Sequence, residues 1–228
     1  SAVTEETDDE GTAITVNAEG DHTYIMVLYD DLYYSDGTKI TAWDYAFSYL
    51  FSISPVLADL GAEPMRREQI LGYKEYMENG GALSGVRVLG EDTISVTLNH
   101  EYLPFFYEMG LLSCVPYPAY VIAPGVTVRD DGQGVYLANI DETVTEPLFN
   151  AENLTKTILD PETGYLSHPS VVSGPYTITS WHGEAAEFEI NPYYKGDYLG
   201  NVPSIQKITF TTGNDASLIS QQQSANWL

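Results

Sequence analysis

Thr41-Ala42-Trp43-Asp44-Tyr45-Ala46-Phe47-Ser48-Tyr49-Leu50-Phe51-Ser52-Ile53-Ser54-Pro55 is the stretch from which the architecture is read. Asp44 follows Thr41 by three residues, the spacing at which an acidic side chain reaches back to the amide that opens a helix. The pair therefore predicts a helix starting at Ala42, with Thr41 as its cap. Ala42, Tyr45, Ala46, Tyr49, Leu50 and Ile53 then fall on one helical face, and Pro55 stops the helix. A helix with such a face must bury it against another layer.

The flanking sequence supplies that layer as hairpins. Upstream, Thr12 to Val16 and Thr23 to Leu28 alternate on either side of Asn17 to Asp21, with Gly20 as the turn residue. Downstream, Val86 and Val88, then Ile94, Val96 and Leu98, alternate around Gly90-Glu91-Asp92. Between them Arg66 to Asn79 reads as a second helix closed by Gly80 and Gly81. Helices mixed with antiparallel hairpins, without regular strand-helix alternation, predict an α+β or mixed α/β lobe in which helix and hairpins share one core, rather than a Rossmann sheet.

Farther along, Leu103 to Leu112 is apolar and aromatic, and Pro116, Pro118 and Pro124 make Val115 to Gly125 an irregular, partly buried crossing. Residues 125 to 167 read as a long surface excursion, with a short helix around Asn153 to Leu159 and a turn over Asp160 to Gly164. Strand signals return at Tyr176 to Ser180 and Glu187 to Ile190, flanking a turn at His182-Gly183-Glu184, and again at Ile208 and Phe210. A last helix is expected over Ala216 to Ala225.

The chain has 228 residues, 43% of them hydrophobic, enough for a sizeable core. Nine basic against 33 acidic side chains leave a net charge of −24, which repels phosphate backbones and anionic lipid and reads as a solvated surface. Nucleic acid is excluded as a partner on that ground. The single cysteine, Cys114, has no internal disulfide partner and reads as a small buried apolar residue. No apolar run reaches the length of a spanning helix. Ser1 to Glu10 is acidic and polar, which leaves either a cytoplasmic protein or an export segment outside this sequence.

Local catalytic and metal motifs do not emerge. His22, His100, His168 and His182 lack metal-site spacing, and Asp130, Asp131, Asp141 and Glu142 lack the regular spacing of a calcium loop. There is no Gly-rich phosphate loop followed by Lys and Ser or Thr, and no nucleophile elbow. Catalytic residues, metals and cofactors are accordingly read as none. The 18 tyrosines and 3 tryptophans are a richer signal, because such rings line clefts while their polar ends reach a ligand. Tyr45 and Tyr49 read as core, whereas for Trp181, Tyr193 and Tyr194, beside a turn or a proline, cleft and core are both open.

Three stretches, in a fixed order, resemble the family 5 extracellular solute-binding proteins, the dipeptide and oligopeptide receptors of ABC importers. They are Tyr34-Ser35-Asp36-Gly37-Thr38-Lys39-Ile40-Thr41-Ala42-Trp43-Asp44 with Phe47-Ser48; the hairpin Val86 to Leu98 followed by Pro104-Phe105-Phe106; and Ser173-Gly174-Pro175-Tyr176 with Trp181, Asn191-Pro192-Tyr193-Tyr194-Lys195-Gly196 and Ile205 to Phe210. Trp43 stands where the family usually has an acidic or polar residue, Tyr194-Lys195 replaces the usual Trp and its neighbour, and 125 to 167 is longer than the family pattern. The resemblance implies a fragment of a periplasmic-binding-protein-like type II lobe. Residues 1–170 would be the extra subdomain of the first lobe, including the excursion 125–167, and 171–228 a partial return into the main lobe, with the second lobe beyond this sequence.

It also implies capture of extracellular oligopeptides or related solutes for ABC permease subunits, at the cell surface on a lipid anchor or in the periplasm, with no enzymatic step. Trp181, Asn191, Tyr193 and Tyr194 are the ligand-binding residues it points to. The rival readings are a secreted hydrolase using scattered carboxylates and a carbohydrate-binding module using the tyrosines.

Overall fold

The computed structural model describes residues 4–7, 13–182 and 185–211. Strands β1 (Thr4–Thr7), β2 (Ala13–Val16), β3 (His22–Val27), β4 (Val86–Val88) and β5 (Thr93–Leu98) form an antiparallel sheet in the order β1-β2-β3-β5-β4. The two hairpins expected from alternation are present, β2 with β3 and β4 with β5, and β3 joins them by pairing with β5 from His22↔Leu98 to Val27↔Thr93. Ile94, Val96 and Leu98 point into the core and are essentially unexposed.

Helix α1 (Ala42–Ile53) lies over this sheet. The Asp44 carboxylate accepts the Thr41 N–H at 2.8 Å and the Thr41 hydroxyl at 2.9 Å, so the acidic residue satisfies an amide that the first turn leaves unpaired. Phe47 is fully buried alongside Tyr49, Leu50 and Ile53, while Tyr45 is only half-buried. The buried surface is wider than the expected stripe because α1 is covered from a second side. That cover is a hairpin of β6 (Val126–Asp130) and β7 (Val135–Asn139).

The hairpin corrects the reading of 125–167 as a surface excursion. Val126, Val128, Val135 and Leu154 are buried in the same cluster as α1. Both Asp130 carboxylate oxygens accept from Arg87 Nε at 2.9 Å and Oδ2 also accepts the Val88 N–H at 2.9 Å, while Leu83 and Val135 exchange backbone hydrogen bonds. Polar residues at the hairpin's tip mask an apolar face, which made the segment look solvated throughout.

Short helices α2 (Val56–Asp59), α3 (Tyr73–Asn79), α4 (Ala119–Ile122) and α5 (Ala151–Leu154) complete this part, α5 running into a wider helical turn over Thr155–Leu159. The helix expected from Arg66 begins only at Tyr73. Ahead of it the backbone is used by the sheet: Leu71 N–H donates to Thr97 O at 3.0 Å, Asn99 N–H to Gln69 O at 2.8 Å, and Gly85 N–H to Leu71 O at 2.8 Å. Gly72 then turns the chain with φ of 76°, a conformation outside the helical range. The crossing 115–125 is irregular apart from α4 and is partly buried, as its prolines imply.

Strands β8 (Tyr176–His182), β9 (Ala185–Ile190) and β10 (Lys207–Thr211) form a separate antiparallel sheet in the order β10-β9-β8. His182 pairs with Ala185, as a hairpin requires, but Gly183 and Glu184 lie outside the described residues, as does the expected helix over 216–225. Among the described residues no helix is long and apolar enough to cross a membrane. The observed mixture of helices and antiparallel sheets is the α+β class that the sequence predicts.

Candidate functional site

The four residues singled out in the sequence fall on the β8–β10 sheet and the turn that leaves β9. Asn191, 1% exposed, immediately follows β9. Its Nδ2 donates to Gly174 O at 2.9 Å, its backbone N–H donates to Pro175 O at 2.9 Å, and its Oδ1 accepts the Tyr193 N–H at 3.0 Å. The side chain is thus turned inward and staples the Gly174-Pro175 entry of β8 to the Pro192 turn. It positions its neighbours rather than facing outward.

Tyr193 is one of those neighbours and is 42% exposed. Its ring rests on Gly37: a Cβ at that position would lie 3.0 Å from the Tyr193 Cε1 and Cζ atoms, and Gly37 has φ of +84°. Both the close approach and the left-handed backbone call for glycine there. The same tip is held by Ser35, whose N–H donates to Val172 O at 2.8 Å and whose Oγ accepts the Val172 N–H at 3.1 Å. Tyr34, Ile40 and Val171 form a small buried cluster beneath it. Tyr120 donates its hydroxyl to Asp36 Oδ2 at 2.7 Å. Burial works to raise the Asp36 carboxyl, but the Thr38 N–H and the Tyr120 hydroxyl outweigh it and hold the group below its ordinary range. On the other side of the bond the Tyr120 hydroxyl is pushed up to about 12, burial being the main cause.

Trp181 stands apart from this group, on β8. Ile178 pairs with Phe188, but Ser180 pairs with Glu187 and Trp181 with Ala186, so a bulge lies between Ile178 and Ser180. Without it, alternation from Ile178 would send Ser180 to the apolar face and Trp181 to the polar one. With it, Trp181 joins Ile178, Phe188, Ile208 and Phe210 on one face, and Glu187, Glu189 and Lys207 occupy the other. Trp181 is 57% exposed and Phe210 63%. Beside Trp181 a shallow cavity of about 160 Å³ is lined by Ile178, Thr179, His168 and Pro169 among others. Tyr194 is half-buried.

The structure therefore brings Tyr193, held by Asn191, onto Gly37 of the tip where Asp36 bonds Tyr120, leaves Tyr194 beside it in the turn, and places Trp181 on the apolar face of the β8–β10 sheet. Asp36 and Tyr120 were not singled out in the sequence. Their pairing joins residues 84 apart in the chain, a distance at which no local pattern operates. Among the described residues no group of three or more His, Cys, Asp or Glu is placed to hold a metal ion.

Comparison with known proteins bears on this arrangement. The family model described as bacterial extracellular solute-binding proteins, family 5 Middle, matches residues 12–226. The chain belongs to that family. The family 5 chain is 33% identical over 84 residues to the periplasmic oligopeptide-binding protein OppA of Escherichia coli (strain K12), a match covering 36% of this chain and 15% of that protein. Its fold is shared with lactococcal OppA complexed with an endogenous peptide (TM-score 0.60, 21% identity, 99% of this chain and 34% of that one). It is shared also with Listeria monocytogenes OppA bound to peptide (TM-score 0.59, 14% identity, 98% of this chain and 38% of that one). The family 5 chain thus spans little more than a third of the solved relatives, and they establish its fold as part of a periplasmic-binding-protein-like lobe.

Proposed function

We propose that this chain is part of the solute-binding component of an ABC importer, which captures oligopeptides or related solutes outside the cytoplasmic membrane and hands them to a permease. The observation that carries the reading is the family match over nearly the whole chain, 12–226. The peptide-binding relatives support oligopeptides as the solute class. The protein acts at the cell surface, held by a lipid anchor, or in the periplasm, and captures its solute by closure of two lobes rather than by covalent chemistry.

In this reading residues 1–170 form the extra subdomain of the first lobe and 171–228 begin the return into its main part. The apolar face of β8–β10, only partly covered among the described residues, supports that division, since a sheet with one apolar face is built to be covered. Tyr193, Tyr194 and Trp181 offer rings to the ligand, and Asn191 holds the turn that presents them. Nothing in the described residues favours a hydrolase or a sugar-binding module over this reading.

The test is isothermal titration of the full-length protein against a panel of oligopeptides of different lengths, with mass spectrometry of peptides that copurify with it. Saturable binding of peptides supports the proposal. Binding of glycans alone, or turnover of any panel member, overturns it. Tyr193→Ala is expected to weaken capture about tenfold or more, the loss of a packed ring, with little change in the melting temperature of the unliganded protein.

A further inference from the structure

A second cavity lies away from the Tyr193 turn, between the large sheet and α1. It measures about 340 Å³ and is lined by Met26 of β3 and Leu28 just after it, Tyr45 and Tyr49 of α1, Ile94 of β5, and the 109–114 segment through Met109, Leu112 and Cys114. We propose that it is a binding site for a small uncharged aromatic molecule, distinct from the peptide site.

No charged side chain lines the cavity in a chain whose net charge is −24. Burial pushes the Cys114 thiol up to about 11, so it is protonated and uncharged at neutral pH. Two thioethers, a thiol and two phenol rings form a soft, polarizable lining, and sulfur against a ring edge is a favourable contact. Charged solutes gain nothing here, whereas a planar ring meets sulfur and aromatic surface on several sides.

The cavity is held in shape by its walls. Ile94, Tyr49 and Leu112 belong to the buried core. Arg67, itself buried, donates through its terminal nitrogens to Leu111 O at 3.3 Å and Ser113 O at 2.9 Å, with its guanidinium carbon 5.0 Å from the centre of the Tyr49 ring. Tyr49 donates its hydroxyl to Leu112 O at 2.5 Å. These bonds tie the 111–113 backbone to α1, so the wall does not collapse into the space. The terminal nitrogens of the buried cation are engaged with carbonyls and its plane with a ring face, while its Nε has no hydrogen-bond partner among the described residues, and Arg67 is not part of the cavity lining.

Its size suits a small ring. An apolar cavity of about 150 Å³ in a protein core already accepts benzene. The space here is larger and lies within the range of ligand pockets, roughly 300 to 1,000 Å³. A bicyclic ring such as indole is the scale of molecule it suits.

The four methionines supply an internally controlled test. Met26 and Met109 line the cavity and Met65 and Met77 do not. In the full-length protein carrying ¹³C-methyl methionine, with these four resonances assigned by substitution, titration with indole is expected to move the Met26 and Met109 resonances together along a saturating curve and to leave those of Met65 and Met77 in place. Met109 is half exposed, so Met109→Trp should fold normally while filling the mouth, and it is expected to weaken indole binding about tenfold or more with peptide capture unchanged. The proposal is overturned if no methionine responds, as when another part of the protein covers the cavity. It is equally overturned if all four drift without saturation, or if Met109→Trp leaves the titration as it was. Loss of peptide capture in the parent protein would leave this result standing, because the two sites share no residue.

Discussion

Ile94, Val96 and Leu98 on β5 and Ile178, Phe188 and Ile208 across β8–β10 are both rows of apolar side chains on antiparallel strands. The first row is at most 2% exposed; at the edge of the second, Phe210 is 63% exposed. What differs is the cover. Helix α1 and the β6–β7 hairpin close over the first sheet, whereas among the described residues nothing of comparable size lies on the second. Strand pattern specifies that a face is apolar, and only a second layer turns that face into stability. The covered region behaves as core; the other, among the described residues, leaves its row half-buried and Trp181 and Phe210 more than half exposed.

Leu50→Ala tests the contrast most severely. Leu50 is fully buried in α1, and its truncation is expected to cost about 2–5 kcal/mol, read as a lower urea midpoint. A loss no larger than that of Phe210→Ala would erase the distinction between the two regions.

Asp130→Asn follows in size and asks whether 125–167 truly belongs to the first core. Losing the Arg87 ion pair and weakening the Val88 contact is expected to cost about 2 kcal/mol at neutral pH. Burial works to raise the Asp130 carboxyl, but Arg87 and the Gly132 and Val88 amides outweigh it, leaving the group lowered in the folded protein. A lowered carboxyl stabilises the fold above its unfolded value of 3.8, and the contribution is lost as pH falls from there through the folded value. Denaturation midpoints of parent and variant should therefore converge as the medium is acidified through that window; parallel curves would place the stabilisation elsewhere.

Gly37→Ala probes the link between the tip at Asp36 and the turn at Tyr193. Its left-handed backbone and the nearby ring predict a cost of roughly 1–2 kcal/mol. Combining it with Tyr193→Ala should recover part of that loss in a double-mutant cycle, and strict additivity would show that the ring is not the obstacle. Thr41→Ala is expected to cost about 1 kcal/mol through the capping pair with Asp44, measured the same way. The smallest effect belongs to Phe210→Ser, which should shift stability by no more than about 0.5 kcal/mol in this chain alone. A markedly larger shift would mean that its face is already covered.

Much of the fold is legible in the order of the amino acids. The spacing of Thr41 and Asp44, the apolar face of α1 and the alternation in four of the strands are short-range patterns, and each leads to its element because neighbours along the chain meet the same backbone geometry. The start of α3 could not be read that way: residues 66–72 have a helical pattern, but Leu71 and Gln69 bond to the sheet instead. At the four residues read as ligand-binding, the sequence showed residue types and not contacts. Asn191 was recognisable as a special residue, yet that its amide is consumed by Gly174 and Tyr193 depends on where the chain returns.

By itself, the sequence determined that this protein is acidic, mixed in secondary structure, built on a capped amphipathic helix and antiparallel hairpins, and similar to family 5 solute-binding proteins. Only the tertiary structure decided that the β6–β7 hairpin is core, that a bulge turns Trp181 onto the apolar face, and that Tyr193 lies on Gly37. The reason is the range of the forces involved. Capping, turn chemistry and alternation act within a few residues and leave their mark in the order of the amino acids. Burial and register depend on which distant segment arrives to cover a face, and that is settled by packing.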